Sequence, residues 1–408
     1  MASQLSWLDH DAAAAQRSLQ ILSLFNEPDA RDELGIGGIR DSIADQLFPG
    51  TSTIQTRLRY VFFVPWLLNQ LESRNTSSSA FPGAARASEL RLLEQLIAHA
   101  PPNEPGIIGR EARGDLKRLP SSVYWAALGI WGMRRSRVSL QQYFALADRR
   151  HAQRRTLRKR DDHESHDGDQ TGRPWDEKLV ALRPEGFPLT ASLQLTRDEA
   201  AFLLDRWTLK HRDSLLTRLA HDLAKGAAVS DAAQIWMHPD GEQFPSAIRS
   251  LIADAHRLSV LIRGAALLYN LELARLAPRR ENIIDERAPE LAAWAEEELP
   301  LCAGWDLDSF WGRVVGKGHT ITKPTQDFVR NWLFLALREH KGVAESSDCR
   351  QLIRSRESSI KIGGNRSRFE NTAARAQWSG KAGLVPLNYR WPVARDFLRE
   401  WHDGWIAA

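Results

Sequence analysis

Residues 31–66 read RDELGIGGIRDSIADQLFPGTSTIQTRLRYVFFVPW and set eight charged side chains directly against core-forming sequence. Arg31, Asp32, Glu33, Arg40, Asp41, Asp45, Arg57 and Arg59 are followed by an apolar run over residues 60–68. A charge beside a core must be paired or used, because an unpaired buried ion is strongly unfavourable. Gly35, Gly37 and Gly38 make a flexible joint, and the pattern predicts a helix from Gly37 or Gly38 to near Leu47. Pro49 and Gly50 then stop it, as these residues do just past a helix end. On that helix Asp41 and Asp45 share one face, four residues apart. Pairing with Arg40, Arg57 or Arg59 is the expected use of both. The apolar end of the stretch predicts a second helix over residues 65–71.

The chain has 408 residues, too long for one ordinary core, so two or three domains are expected. With 43% hydrophobic and 26% charged residues it has the composition of a globular protein. Its longest apolar run falls far short of the ~20 residues that a bilayer span needs. The start, MASQLSWLDHD, lacks a signal peptide's basic and apolar segments. Two cysteines, Cys302 and Cys349, argue for a reducing compartment, and a cytoplasmic location is expected. The net charge of +4 is small, so the distribution of charge carries more information than its total. Fifteen tryptophans accompany only five tyrosines, and indoles in such numbers are expected to serve as core pegs rather than base-stacking platforms.

Helical patterns fill the rest of the chain. They fall at residues 9–26 and 87–98, in a helix capped by Ser121 or Ser122, and in a short one at residues 140–147. The last two, joined near Gly132 and followed by Arg134, Arg135 and Arg137, could form a helix-turn-helix. Seven of the twelve residues 149–160 are Arg or Lys, and five acids follow up to Asp169. This composition predicts a solvated, mobile linker over residues 148–175. His163 and His166 within it have nothing to organise them as metal ligands. Thr196 and Glu199 form a capping box that opens a helix reaching Leu219. Residues 247–276 predict a long central helix carrying His256 and Arg263, both read as structural. A short acidic helix is expected at residues 290–299, and an amphipathic one opens at Thr325. The expected organisation is an N-terminal helical domain (1–147), the linker (148–175), a middle helical domain (176–300) and a basic C-terminal domain (301–408). The fold class is mainly α, multi-domain, with few short strands.

Motifs for chemistry are mostly rejected. Gly312, Gly316 and Gly318 resemble a phosphate loop, but the spacing is one residue short and no Ser or Thr follows Lys317. Asp41 and Asp45 could hold Mg²⁺ as in a nuclease, yet no Glu-x-Lys partner follows. No metal and no cofactor is expected, and no catalytic residue can be assigned. The C-terminal segment is more informative. Residues 350–381 contain eight basic residues against two acidic ones, a local charge of +6. Arg354, Arg356, Lys361, Arg366, Arg368, Arg375 and Lys381 are therefore the candidate nucleic-acid-binding residues. Gly363 and Gly364 would let backbone amides approach a phosphate, with Asn365 and Ser367 as neutral donors.

Five segments carry a family resemblance: Ser6-Trp7-Leu8, RDELGIGGIRDSIADQLFPGTSTIQTR, SVYWAALGIWG, RQLIRSRESSIK and LNYRWPVARDFL. Together the chain resembles the bacterial family of unknown function numbered 6361, over essentially its full length. The resemblance brings no activity and no catalytic residue. It implies an accessory component of bacterial phage-defence or restriction-type systems, with nucleic acid or a protein of a defence complex as partner and no membrane. The expected function is a non-catalytic nucleic-acid-binding or partner-binding subunit. The alternative is a metal-dependent nuclease or other enzyme built on the Asp41 and Asp45 region.

Overall fold

The structure, a computed structural model, describes residues 32–101, 104–161, 173–361 and 363–407, with side chains for all of these except 157–161. The helix expected at residues 9–26, Arg31, His163 and His166 lie outside the described residues. Sixteen α-helices form among the described residues, and the β-type pairing there is an isolated antiparallel bridge between Arg134 and Trp175. The mainly α reading holds, and the few short strands expected do not form among the described residues. No helix among the described residues is long and apolar enough to cross a membrane.

The chain divides into two compact units, and both are discontinuous. The first comprises residues 1–43 and 243–389, the second residues 44–242 and 390–408. The consecutive domains expected from composition are therefore replaced by units that each draw on distant parts of the chain. Long-range polar bonds tie these distant parts together within each unit. In the second unit the Leu58 amide donates to Glu400 at 2.7 Å, 342 residues away. In the first, Arg356 donates to the Leu34 carbonyl at 2.8 Å across 322 residues.

The second unit is built around α2 (Tyr60–Ser73), which follows α1 (Gly37–Leu47). Every residue from Tyr60 to Leu68 is buried, so the apolar run is helical from its first residue rather than from Pro65. Burial on all sides makes this a core helix rather than an amphipathic one. It packs against α3 (Phe81–His99), α4 (Pro120–Ile130) and α7 (Glu177–Ala181), which are separated in sequence by α5 (Leu140–Ala145) and α6 (Ala147–Asp161). Phe63 stacks on Phe187 at 5.7 Å, and the Trp66 indole donates to the Leu179 carbonyl at 2.7 Å. The chain turns after α1 at Gly50, with φ +82°, where a Cβ would stand 2.3 Å from the Trp131 indole nitrogen. The helix expected to reach Leu219 is two helices, α8 (Arg197–His211) and α9 (Leu215–Ala224), each with its own cap.

Two expectations change here. Nine residues separate α4 from α5, where a helix-turn-helix has a turn of about 3–4. The first half of the expected linker is α6, and it is tied down. Arg150 and Arg154, one helical turn apart, reach the buried Glu72 of α2 at 3.0 and 3.1 Å. A basic block reads as solvated only while its buried partner, far away in sequence, is unknown.

The first unit is organised by α10 (Ser246–Leu276), a 31-residue helix buried along most of its length. α11 (Glu281–Ala293), α12 (Leu307–Val314), α13 (Lys323–Glu339), α14 (Ser347–Ile360) and α15 (Thr372–Ala376) complete it. Trp294 and Trp332 stack at 6.2 Å and donate to the adjacent carbonyls of Val260 and Leu261. Gly264 permits this approach, since a Cβ there would lie 2.1 Å from the Trp294 ring. α16 (Trp391–Ile406) returns to the second unit.

The start of α4 shows a cap that sequence could not supply. No Ser side chain caps it; instead Glu89 of α3 accepts from the Ser121 amide at 2.8 Å and the Ser121 hydroxyl at 2.7 Å. Burial pushes the Glu89 carboxyl up to about 7, against the smaller opposing effect of the Ser121 bonds. A carboxyl whose pKa is raised on folding binds protons more tightly in the folded state. Stability is then fullest below the ordinary value and falls as pH rises through about 7, by on the order of 3 kcal/mol for this group. Glu89→Gln retains an acceptor and removes the titration. Denaturant unfolding between pH 5 and pH 8 is expected to show wild type losing stability relative to Glu89→Gln as pH rises. Parallel curves would show that the carboxyl is not proton-linked to folding.

Candidate nucleic-acid interface

The charges of residues 32–66 are paired, mostly with partners far along the chain. Asp32 accepts from the Ile36 and Gly37 amides at 2.9 and 2.6 Å, and so caps the start of α1, where the helix dipole favours an anion. Asp41 pairs with its neighbour Arg40 at 3.2 Å in a partly exposed site. Asp45 pairs with Arg390, which also donates to the Thr51 carbonyl at 2.9 Å. Arg57 bridges Glu104 and Glu400, the latter at 2.6 Å. Burial pushes the Glu400 carboxyl up to about 7 even beside that cation. Arg59 is buried against Glu199 at 2.7 Å, and its other nitrogen donates to the Ser192 carbonyl and hydroxyl. Glu199 also accepts from the Thr196 amide at 2.9 Å, so one carboxylate closes both the capping box and the ion pair. Pairing of the acids was expected; Arg390, Glu104, Glu199 and Glu400 were not identified as partners. Arg40, one of the expected arginines, is found on Asp41.

Most of the seven candidate cations are bound within the first unit. Arg354 reaches Glu272 at 2.6 Å, and Arg275 reaches the same fully buried carboxylate at 2.9 Å. Arg356 is buried and donates to the Leu34 and Gly35 carbonyls and to the Thr325 hydroxyl. Lys361 pairs with Glu33 and, at 2.6 Å, with Glu357. Arg368 pairs with Glu33 at 2.9 Å and is buried. Arg375 donates to the Arg368 and Phe369 carbonyls at 3.0 and 3.1 Å. Only Arg366 and Lys381 of the seven stand exposed with no carboxylate partner among the described residues.

Glu357 is the centre of this arrangement. It accepts from Tyr269, Lys361, Ser367 and the Arg368 amide. Burial alone would raise its carboxyl, but the bonds from Lys361, Ser367 and Arg368 together hold it below the usual carboxylate range. The glycines expected to cradle a phosphate close the same loop. The Gly364 amide donates to the Lys361 carbonyl, and the Asn365 amide to the Gly363 carbonyl. A segment of +6 in sequence is thus largely neutralised in space. The signal that could have shown this was acids inside apolar helix sequence: Glu272 and Asp254 sit within α10. Asp254 accepts from the Trp305 indole at 2.9 Å and from Arg313 at 2.6 Å.

The remaining cations without a carboxylate partner include Arg137, Arg149 and Arg155 of the second unit, all exposed. They come from the two stretches read from sequence as a weak helix-turn-helix and a solvated linker.

A family model described as "Family of unknown function (DUF6361)" matches residues 2–405 of the chain. No curated protein and no solved structure matches it.

The two kinds of pair in residues 32–66 differ in consequence. Arg59→Ala leaves Glu199 buried and uncompensated, a loss expected at about 3–5 kcal/mol. Asp41→Ala removes a partly exposed pair between neighbours, worth about 1 kcal/mol or less. Urea unfolding of both variants measures the difference; equal losses would mean that burial does not separate the two pairs.

Proposed function

The chain belongs to the DUF6361 family over essentially its whole length, and from its charge layout we propose that it is a non-catalytic, nucleic-acid-binding accessory subunit. The observation that carries this reading is the division of charge. Most carboxylates near the cores are closed by cations, whereas Arg137, Arg149 and Arg155 stand in solvent with no carboxylate among the described residues. Exposed cations without counter-charges favour a polyanion, because each phosphate they neutralise releases a condensed counterion. The nuclease alternative asks Asp41 and Asp45 to hold a cation, but each faces an arginine. A carboxylate neutralised in that way is a poorer ligand for a divalent metal.

The test is titration of the full chain with duplex DNA, single-stranded DNA and RNA from about 50 to 200 mM salt. Binding is expected to weaken with salt, with a slope near −0.9 for each duplex phosphate contacted and a total of roughly −3 to −4. Absence of salt-dependent binding to all three probes overturns the nucleic-acid reading. Cleavage of any probe on addition of Mg²⁺ or Mn²⁺ overturns the non-catalytic one.

A further inference from the structure

We propose that the outward face of α6, with Arg137 in the loop before α5, is the surface that meets the phosphate backbone. This rests on the nucleic-acid reading above and places its interface in the second unit rather than in residues 350–381. The run of arginines on α6 is divided by the helix itself. Arg150 and Arg154 point inward to Glu72, where the Tyr143 hydroxyl also donates at 2.6 Å, and Arg150 lies 4.1 Å over the Tyr143 ring. These two side chains fix the helix against α2 and set its rotation. With the helical period, that places Arg149 and Arg155 on the outside. Both are exposed, and so are Ala152 and Thr156 beside them. Asp148 at the start of the helix is held by the Ser78 amide at 3.1 Å.

The loop between α4 and α5 is anchored just as firmly. Arg134 lies 4.4 Å over Trp125, and the Trp125 indole and Arg134 both donate to the Val138 carbonyl at 3.0 Å. The Arg135 amide donates to the Pro174 carbonyl at 2.8 Å. Arg137 protrudes from this frame. Trp125, Tyr143 and Trp175 pack on one another at 5.2 to 5.9 Å, so the loop, α5 and the segment before α7 share one aromatic base. α5 is six residues, about 9 Å long, which keeps Arg137 and the first turn of α6 within reach of neighbouring phosphates. Arg173, next to this base, is partly neutralised by Glu177 at 2.7 Å.

The chemistry of the face selects its occupant. Protein interfaces are anchored by buried apolar and aromatic side chains. The exposed side chains described on α6 are two arginines, an alanine, a threonine and Asp148, the last held by the Ser78 amide and hydroxyl. Arginine forks match phosphate oxygens, and a rigid helix presents them without the ordering cost of a mobile tail. An acidic protein partner is the competing occupant.

The experiment compares full-length wild type with Arg137→Ala/Arg149→Ala/Arg155→Ala and with Arg366→Ala/Lys381→Ala. A mixed-sequence duplex DNA is the probe, and melting temperatures confirm that each variant is folded. The triple variant is expected to bind more weakly and to have a salt slope shallower by about two to three. The double variant is expected to stay near wild type. If the triple variant keeps the wild-type slope while wild type binds, this interface is wrong and the function stands. If wild type itself binds none of duplex DNA, single-stranded DNA and RNA but retains an acidic polypeptide such as polyglutamate through these arginines, the face serves a protein and both proposals fall. Failure of wild type to bind either probe overturns this interface, and failure to bind single-stranded DNA and RNA as well overturns the function.

Discussion

A carboxylate taken out of water is tolerated only when cations and donors close around it, and this constraint runs through both units. Glu72 and Glu199 meet it in the second unit with Arg150, Arg154 and Arg59. Glu272, Glu33 and Glu357 meet it in the first with Arg275, Arg354, Lys361 and Arg368. Arg275 with Glu272 and Lys361 with Glu357 are local pairs, whereas the other closures join segments remote in sequence and tie them into one unit. They specify arrangement more than they add stability, since a buried pair roughly offsets the desolvation of its own members.

Tryptophan answers the same constraint for the indole N–H. Twelve of the fourteen tryptophans among the described residues are buried. Trp66, Trp131, Trp294, Trp332, Trp391 and Trp401 each donate to a backbone carbonyl at 2.7 to 2.9 Å. Trp378 donates to Asn270 of α10 at 2.8 Å, and Asn270 in turn binds both the amide and the carbonyl of Ala382. An indole fills a large volume between helices and is directional at one edge, so it fixes how far and at what rotation two elements meet. Close approach then demands glycine, as at Gly50 and Gly264.

With so much charge committed to structure, the side chains left outward define what the protein can meet. A local excess of arginine in sequence has two fates, and they differ by whether a buried acid lies within reach. Residues 350–381 follow the first fate almost entirely. α6 follows both at once, with Arg150 and Arg154 turned inward and Arg149 and Arg155 outward by the helical period. The functional reading therefore rests on the exposed remainder and not on the count of basic residues.

The sequence by itself determined the mainly α class, the helix from Gly37 to Leu47, the capping box at Thr196 and Glu199, the long central helix and the burial of the tryptophans. These follow from periodicity, caps and side-chain volume, which act over a few residues. It also determined that the charges of residues 32–66 had to be paired. Only the tertiary structure decided with whom. Arg57 finds Glu400, Asp45 finds Arg390 and Lys361 finds Glu33, each more than 320 residues away. Nothing local encodes such a partner, because an ion pair depends on distance in space while the chain records only order. For the same reason the +6 segment looked like an interface and the α6 arginines looked like a linker. Composition gives the charge, and the fold gives its neighbours.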